Sequence, residues 1–162
     1  QLQNIFSLYG EIRNAKQLAR AICDARIQYR SEGGIKTTAQ LRDIALTVVK
    51  GEKNPYLAQL FQSVRIEVND EMAALKEMLN STAQLIIPGG RLVVISYHSL
   101  EDRMVKNMMK TGDVYGNPEE DLMGRKNIPF KIVTKKPVTP EAEELQINPR
   151  SRSAKLRVAE KI

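Results

Sequence analysis

The run Leu92-Val93-Val94-Ile95 limits what this chain can fold into more than any other stretch. It is apolar at every position and β-branched at three of four, it is fed by Pro88-Gly89-Gly90-Arg91, and it ends in Ser96-Tyr97-His98-Ser99-Leu100-Glu101-Asp102-Arg103. A strand with one wet face alternates polar and apolar residues, so an unbroken apolar run predicts a parallel strand buried on both faces. Such a strand needs parallel neighbours and covering helices, which makes the expected class α/β. The polar cluster then falls at the carboxyl end of the strand, where open α/β sheets present their chemistry. Ser99 is the expected N-cap of the next helix, with Asp102 closing an imperfect capping box. Leu100, Met104, Val105, Met108 and Met109 would form its buried stripe.

The residues before this strand read as helical. Leu8, Ile12, Ala15, Leu18, Ala19, Ile22, Ala25 and Tyr29 recur at helical spacing and predict a helix over 8–29. Arg13, Lys16 and Arg20 line its other face, and Asp24 stands where it can pair with Arg20. After a break at Ser31 to Gly34, Thr37 and Gln40 make a capping box for a second helix, which buries Leu41, Ile44, Ala45 and Val48 and ends at Gly51. Asn54-Pro55 opens a third, whose apolar period runs for six turns to Leu79, with a break expected near Asn80-Ser81-Thr82. Arg65 and Asn69 share a side of it, either acting together on a ligand or forming a surface pair.

Beyond the central strand, Thr111 to Pro129 is glycine-rich, carries the acidic run Glu119-Glu120-Asp121, and predicts a long mobile loop. Phe130–Lys135 and Ser153–Ile162 are expected as an antiparallel pair, separated by a short acidic helix over 140–145 and the turn Asn148-Pro149-Arg150-Ser151-Arg152-Ser153. Alternation in the last strand sets Ala154, Leu156 and Val158 against Lys155, Arg157 and Lys161.

With 162 residues, 42% hydrophobic and 27% charged, the chain fits one ordinary globular domain, with or without an appendage. No apolar run approaches the roughly 18 residues of a membrane span, and no secretory signal opens it, so a soluble cytoplasmic protein with no membrane partner is expected. Cys23 is the only cysteine, which excludes an internal disulfide and a cysteine metal cluster, and on a helix face it is expected as a small buried residue. Charge is placed unevenly: residues 1–124 hold fifteen Lys and Arg against fifteen Asp and Glu, whereas residues 125–162 hold ten against four. That surplus suits a polyanion, above all nucleic acid, although a solvated basic tail has the same composition.

His98, the only histidine, suits a proton carrier or an anchor for a polar substrate, or a group that fixes the loop. Glu101 and Asp102 in a first helical turn offset the dipole, and Arg103 is their simplest partner. The Asn148–Ser153 turn offers alternating arginines and hydroxyls, able to grip phosphate or to tie the terminal strand to acidic helices. One histidine and scattered carboxylates make no metal site. No glycine-rich nucleotide loop follows a strand, since Gly33-Gly34 lies between helices and Gly89-Gly90 precedes its strand.

Taken together, Pro88-Gly89-Gly90-Arg91-Leu92, the Phe61–Glu71 run, the Ser96–Arg103 run with Val105-Lys106, the Asn148–Arg157 run and Leu8-Tyr9-Gly10-Glu11 resemble the bacterial small-subunit ribosomal RNA cytosine-N4-methyltransferase family over nearly the whole chain. The resemblance implies the C-terminal part of a Rossmann-like class I methyltransferase sheet, one buried parallel strand plus an antiparallel terminal hairpin, with residues 1–70 in a helical insertion and 71–162 in the catalytic domain. It implies S-adenosylmethionine as cofactor. The family's glycine-rich loop and acidic cofactor residue are missing from these 162 residues, so the chain is expected to be a fragment that binds no cofactor and is inactive alone. Ser96, His98 and Ser99 would hold base or ribose, and Glu101 and Asp102 would shape the loop. Arg65, Asn69, Arg103, Asn148, Arg150, Ser151 and Arg152 would meet RNA. The implied partner is small-subunit ribosomal RNA or the assembling small subunit, and an exposed strand edge at Leu92 would favour a homodimer. Two departures stand out: Asn54-Pro55-Tyr56-Leu57 where the family has His-Pro-Ala-Thr, and Tyr97 where it has phenylalanine. The reading from a different class is a non-catalytic RNA-binding or ribosome-assembly module.

Overall fold

The computed structural model describes residues 1–120, 122–124 and 126–162. Asp121, from the acidic run, lies outside the described residues. The chain divides into two compact units, Gln1–Glu71 and Met72–Ile162.

The first unit is helical: α1 (Leu2–Leu8), α2 (Ala15–Gln28), α3 (Thr38–Leu46) and α4 (Lys53–Asn69). The single helix expected over 8–29 begins only at Ala15. The chain turns at Gly10, where a Cβ would lie 2.8 Å from the Phe6 carbonyl and 3.0 Å from that of Gln59, and Glu11 follows with φ 50°. Phe6, Ile12, Leu18, Ile22, Ala45 and Leu60 form the core, burying the stripe that the periodicity marked. Cys23 is exposed rather than buried, because it falls one residue past Ile22 and off that stripe. Arg20 and Asp24 meet at 3.9 Å on the solvated face. The capping box of α3 forms as expected: Thr37 Oγ1 accepts from the Gln40 N–H at 3.1 Å, and Gln40 Oε1 accepts from the Thr37 N–H at 3.0 Å. Tyr56, in the segment that departs from the family pattern, is a core residue of this unit.

The six-turn helix expected after Pro55 is two helices. α4 stops at Asp70, which adopts φ 51°, a left-handed conformation that Asp tolerates better than most residues, and α5 runs over Glu71–Leu85. No break occurs at Asn80–Thr82, since Thr82 Oγ1 donates to the Met78 carbonyl at 2.6 Å and so satisfies its hydroxyl within the helix.

In the second unit, β1 (Arg91–Ser96) is followed by α6 (Ser99–Thr111), β2 (Phe130–Ile132), α7 (Ala142–Ile147), a 3-10 turn over Pro149–Ser153, and β3 (Lys155–Lys161). The sheet order is β1-β3-β2, with β3 antiparallel to both neighbours, so the expected terminal hairpin is present and its last strand also pairs with β1 from Arg91↔Glu160 to Ser96↔Lys155. Val105, Met108 and Met109 of α6 pack with Leu92, Ala159, Phe130 and Leu79.

One expectation is corrected here. β1 is not buried on both faces, for Leu92 and Ser96 face the core while Val93 and Ile95 are 56% and 53% exposed. Its hydrogen-bonded neighbour is antiparallel, and α6 covers one face only. Of the two faces that alternation gives β3, the one carrying Arg157 and Ala159 points inward, opposite Val94 and Leu92, while Leu156 and Val158 lie with Ile95 and Val93 on the other face. An acidic partner in the core brings Arg157 in.

After α6 the chain returns to the helix's end: Gly112 closes the helix with φ 78°, a Cβ there would lie 2.6 Å from the Asn127 carbonyl, and Val114 is buried.

Candidate active site

The backbone leaves β1 at Ser96 and extends through Tyr97 to His98, which is the true N-cap of α6. His98 Nδ1 accepts the Glu101 N–H at 3.4 Å, while Glu101 Oε2 accepts the N–H groups of Tyr97 at 2.9 Å and His98 at 3.3 Å. The capping box is thus one residue earlier than the Ser99–Asp102 pair expected from sequence. Glutamate is long enough to reach back over two amides, and Asp102 is committed elsewhere. A neutral imidazole that accepts at Nδ1 carries its proton on Nε2. The ring is only 10% exposed, and Nε2, though 3.2 Å from Glu101 Oε1, makes no hydrogen bond among the described residues.

Beneath this cap Asp102 receives Arg157 in bidentate fashion, Nε to Oδ1 at 2.6 Å and Nη2 to Oδ2 at 3.1 Å, with Lys155 Nζ 3.6 Å from Oδ2. The Arg157 hydrogen bond, against the opposing effect of burial, holds the Asp102 carboxyl below the usual carboxylate range. Burial alone would push Glu101 up, but the His98 ring and the amides of Tyr97 and His98 outweigh it and draw the carboxyl down to about 2.

A depressed folded-state pKa contributes stability that is present above the unfolded value of 4.5 and is lost as pH falls toward about 2. Partial exposure screens the interaction, leaving a contribution of about 1–2 kcal/mol. Urea unfolding should find the wild-type protein more stable than Glu101→Gln by that amount near neutrality, and the difference should close on acidification through this window. A difference independent of pH would contradict the assignment.

Ser96 is buried with its Oγ 3.4 Å from the Lys155 carbonyl, whereas Ser99 and Arg103 lie on the exposed side of α6. The Asn148 carbonyl accepts both the N–H and the hydroxyl of Ser151, at 3.0 and 2.7 Å, which draws Ser151 inward and leaves Arg150 and Arg152 exposed. Since Lys155 pairs with Ser96, the Asn148–Ser153 turn enters the sheet at the end where β1 delivers His98. Ser96, His98, Ser99, Glu101, Asp102 and that turn therefore share one end of the sheet. Arg65 and Asn69 belong to the first unit and both hydrogen-bond the Glu71 carboxylate, the surface-pair alternative: Arg65 donates to both oxygens, at 2.8 and 3.1 Å, and Asn69 to one of them at 3.1 Å. Sequence reasoning passed over Lys155 and Arg157. The available signal was an arginine inside a strand, with an acidic residue in the first turn of a neighbouring helix.

The residues after β1 present the Tyr97 and His98 side chains, and Gly89, ahead of the strand, faces open space. Among the described residues no cluster of His, Cys, Asp or Glu could hold a metal ion, and no helix is long and apolar enough to cross a membrane.

A three-stranded antiparallel sheet covered on one face by α6, with polar groups gathered at the end of β1, is a mixed α/β arrangement with its candidate site at a strand end. Residues 1–162 match the MraW methylase family throughout, and the chain belongs to that family. It is 51% identical to the "Ribosomal RNA small subunit methyltransferase H" of Bacteroides thetaiotaomicron, over 99% of this chain and 52% of that protein. The proteins of the same name from Parabacteroides distasonis and Flavobacterium johnsoniae are 49% and 48% identical, each over 99% of this chain and 52% of its own length. The chain spans about half the length of the curated relatives it matches. The family resemblance carried by the Phe61, Ser96 and Asn148 segments is thereby borne out.

Proposed function

We propose that the protein containing this chain transfers a methyl group from S-adenosylmethionine to the exocyclic amine of a cytidine in small-subunit ribosomal RNA. In this reading residues 71–162 supply the part of the catalytic domain that holds the base, 1–70 form a helical insertion, and the cofactor half lies in the remainder of the protein. The names of the relatives support the substrate class. The observation that carries the site is the buried His98 Nε2, which makes no hydrogen bond among the described residues although the Glu101 carboxylate lies 3.2 Å away, fixed by the capping bond of Nδ1 at the end of β1.

The lone pair of a cytosine amine is delocalised into the ring, so the base must be held rigidly and its N–H groups met by acceptors. His98 Nε2–H donates to a ring acceptor of the base, and the Ser96 hydroxyl and the ionised Glu101 carboxylate are acceptors beside it. Ser99 and Asp102 hold the start of α6. The base leaves its stack to enter. Arg150 and Arg152 take backbone phosphate, and Arg103 and Asn148 add RNA contacts at the same end of the sheet.

Digestion of treated ribosomal RNA to nucleosides tests this reading. N4-methylcytidine is the expected product of the longer protein, with none from this chain alone, and methylation of the ring carbon or the ribose would overturn it. The edge of β1 opposite β3 is unpaired among the described residues and suits a second copy of the chain, so light scattering should give a dimer; a monomer refutes that pairing.

A further inference from the structure

β3 is not paired evenly along its length. The N–H groups of Val133 and Thr134 both donate to the Val158 carbonyl, at 3.0 and 3.2 Å, and Thr134 Oγ1 accepts the Val158 N–H at 2.9 Å. Pairing resumes at Val138, which exchanges both backbone bonds with Leu156 at 2.9 Å. Lys135, Lys136 and Pro137 therefore have only Arg157 opposite them. The excess chain is thrown out of the ladder as a bulge pinned on both sides, and Pro137 stiffens it. Both lysines are exposed, and neither makes an ion pair among the described residues.

The position of the bulge gives it a use. Arg157 is two residues along β3 from Lys155, the partner of Ser96, so at about 3.4 Å per residue and 4.8 Å per strand the bulge stands within roughly 10–15 Å of the strand end that carries His98. The exposed Arg150 and Arg152 enter β3 from the same end. The acids at this end are accounted for: Asp102 is neutralised by Arg157 and Lys155 and Glu101 is held in its cap, while Glu141 is the N-cap residue of α7 and Glu143 and Glu144 lie in its first turn. Two adjacent cations on a stiff protrusion, unneutralised and beside a base-holding site, match a nucleic-acid backbone.

We propose that the Lys135–Lys136 bulge is a phosphate-binding contact that grips the RNA backbone flanking the base held at His98. This rests on the functional reading above, since it takes RNA as the partner.

The test titrates a labelled small-subunit ribosomal RNA hairpin with this chain over a series of salt concentrations. Lys135→Gln with Lys136→Gln should weaken binding about tenfold and make the slope of log K against log salt shallower by about 1–2. Lys135→Arg with Lys136→Arg should restore both, and Lys50→Gln with Lys53→Gln, exposed lysines of the first unit, should change neither. All of these residues are exposed, so circular dichroism should report the same fold throughout. An unchanged slope in the glutamine pair overturns the bulge assignment and leaves the functional reading standing. Failure of the wild-type chain to bind RNA overturns both, and competition by polyglutamate as strong as by RNA would reassign the bulge to an acidic protein.

Discussion

An Arg157→Ala variant is expected to lose about 3–5 kcal/mol of stability, the largest effect of any single substitution outside the apolar core. The guanidinium and the Asp102 carboxylate are 11% and 12% exposed and meet in a bidentate pair, so removing one partner strands the other in a poorly solvated place. Lys155 lies 3.6 Å from the same carboxylate, but it is more exposed and offers a point charge instead of a planar fork, so it compensates only in part. The loss should be read by urea unfolding near neutrality. It should shrink in acid, because a depressed Asp102 pKa gives stability above the usual carboxylate range and loses it as the carboxyl protonates. Replacing both partners, Asp102→Leu with Arg157→Met, should cost much less than Arg157→Ala, since no charge is then left alone. A loss below about 1 kcal/mol for Arg157→Ala would mean that water reaches the pair freely.

The same pair explains why part of this fold was legible in the sequence and part was not. Features written in local chemistry could be read directly: the Thr37–Gln40 box, the buried stripe of α2, the Arg91–Ser96 strand and the antiparallel pairing of its last two strands. What failed depended on partners far along the chain. Alternation gives two faces for β3 but does not say which is buried, and that is settled by a carboxylate 55 positions away that pairs with Arg157. The periodicity carried the expected helix straight through Gly10, and only the close approach of the Phe6 and Gln59 carbonyls shows why the chain must turn there. Ser99 looked the better cap than His98 because propensity favours hydroxyls, whereas the length of Glu101 and the engagement of Asp102 moved the cap by one residue. In the candidate site the histidine, the serines and the arginine turn could be named from sequence; their support by Arg157 and Lys155 could not.

Changing His98 should have its main effect on chemistry rather than on folding, and two substitutions separate these roles. His98→Ala removes both the capping acceptor and the Nε2 donor, and should lower stability by about 1 kcal/mol. His98→Asn supplies one of the best capping oxygens in place of Nδ1, so stability should stay within about 0.5 kcal/mol of wild type, but it has no group that reaches where Nε2 stands. If the ring served only to cap α6, asparagine would preserve activity. A site built around an unmet Nε2 donor predicts the opposite, because one preorganised donor to a reacting group is typically worth a factor on the order of 10² to 10³ in rate. The deciding measurement is the single-turnover rate of methyl transfer to small-subunit ribosomal RNA by the longer protein carrying His98→Asn. A fall of about a hundredfold with unchanged unfolding is the predicted result, and a rate equal to wild type would contradict the site described at the end of β1.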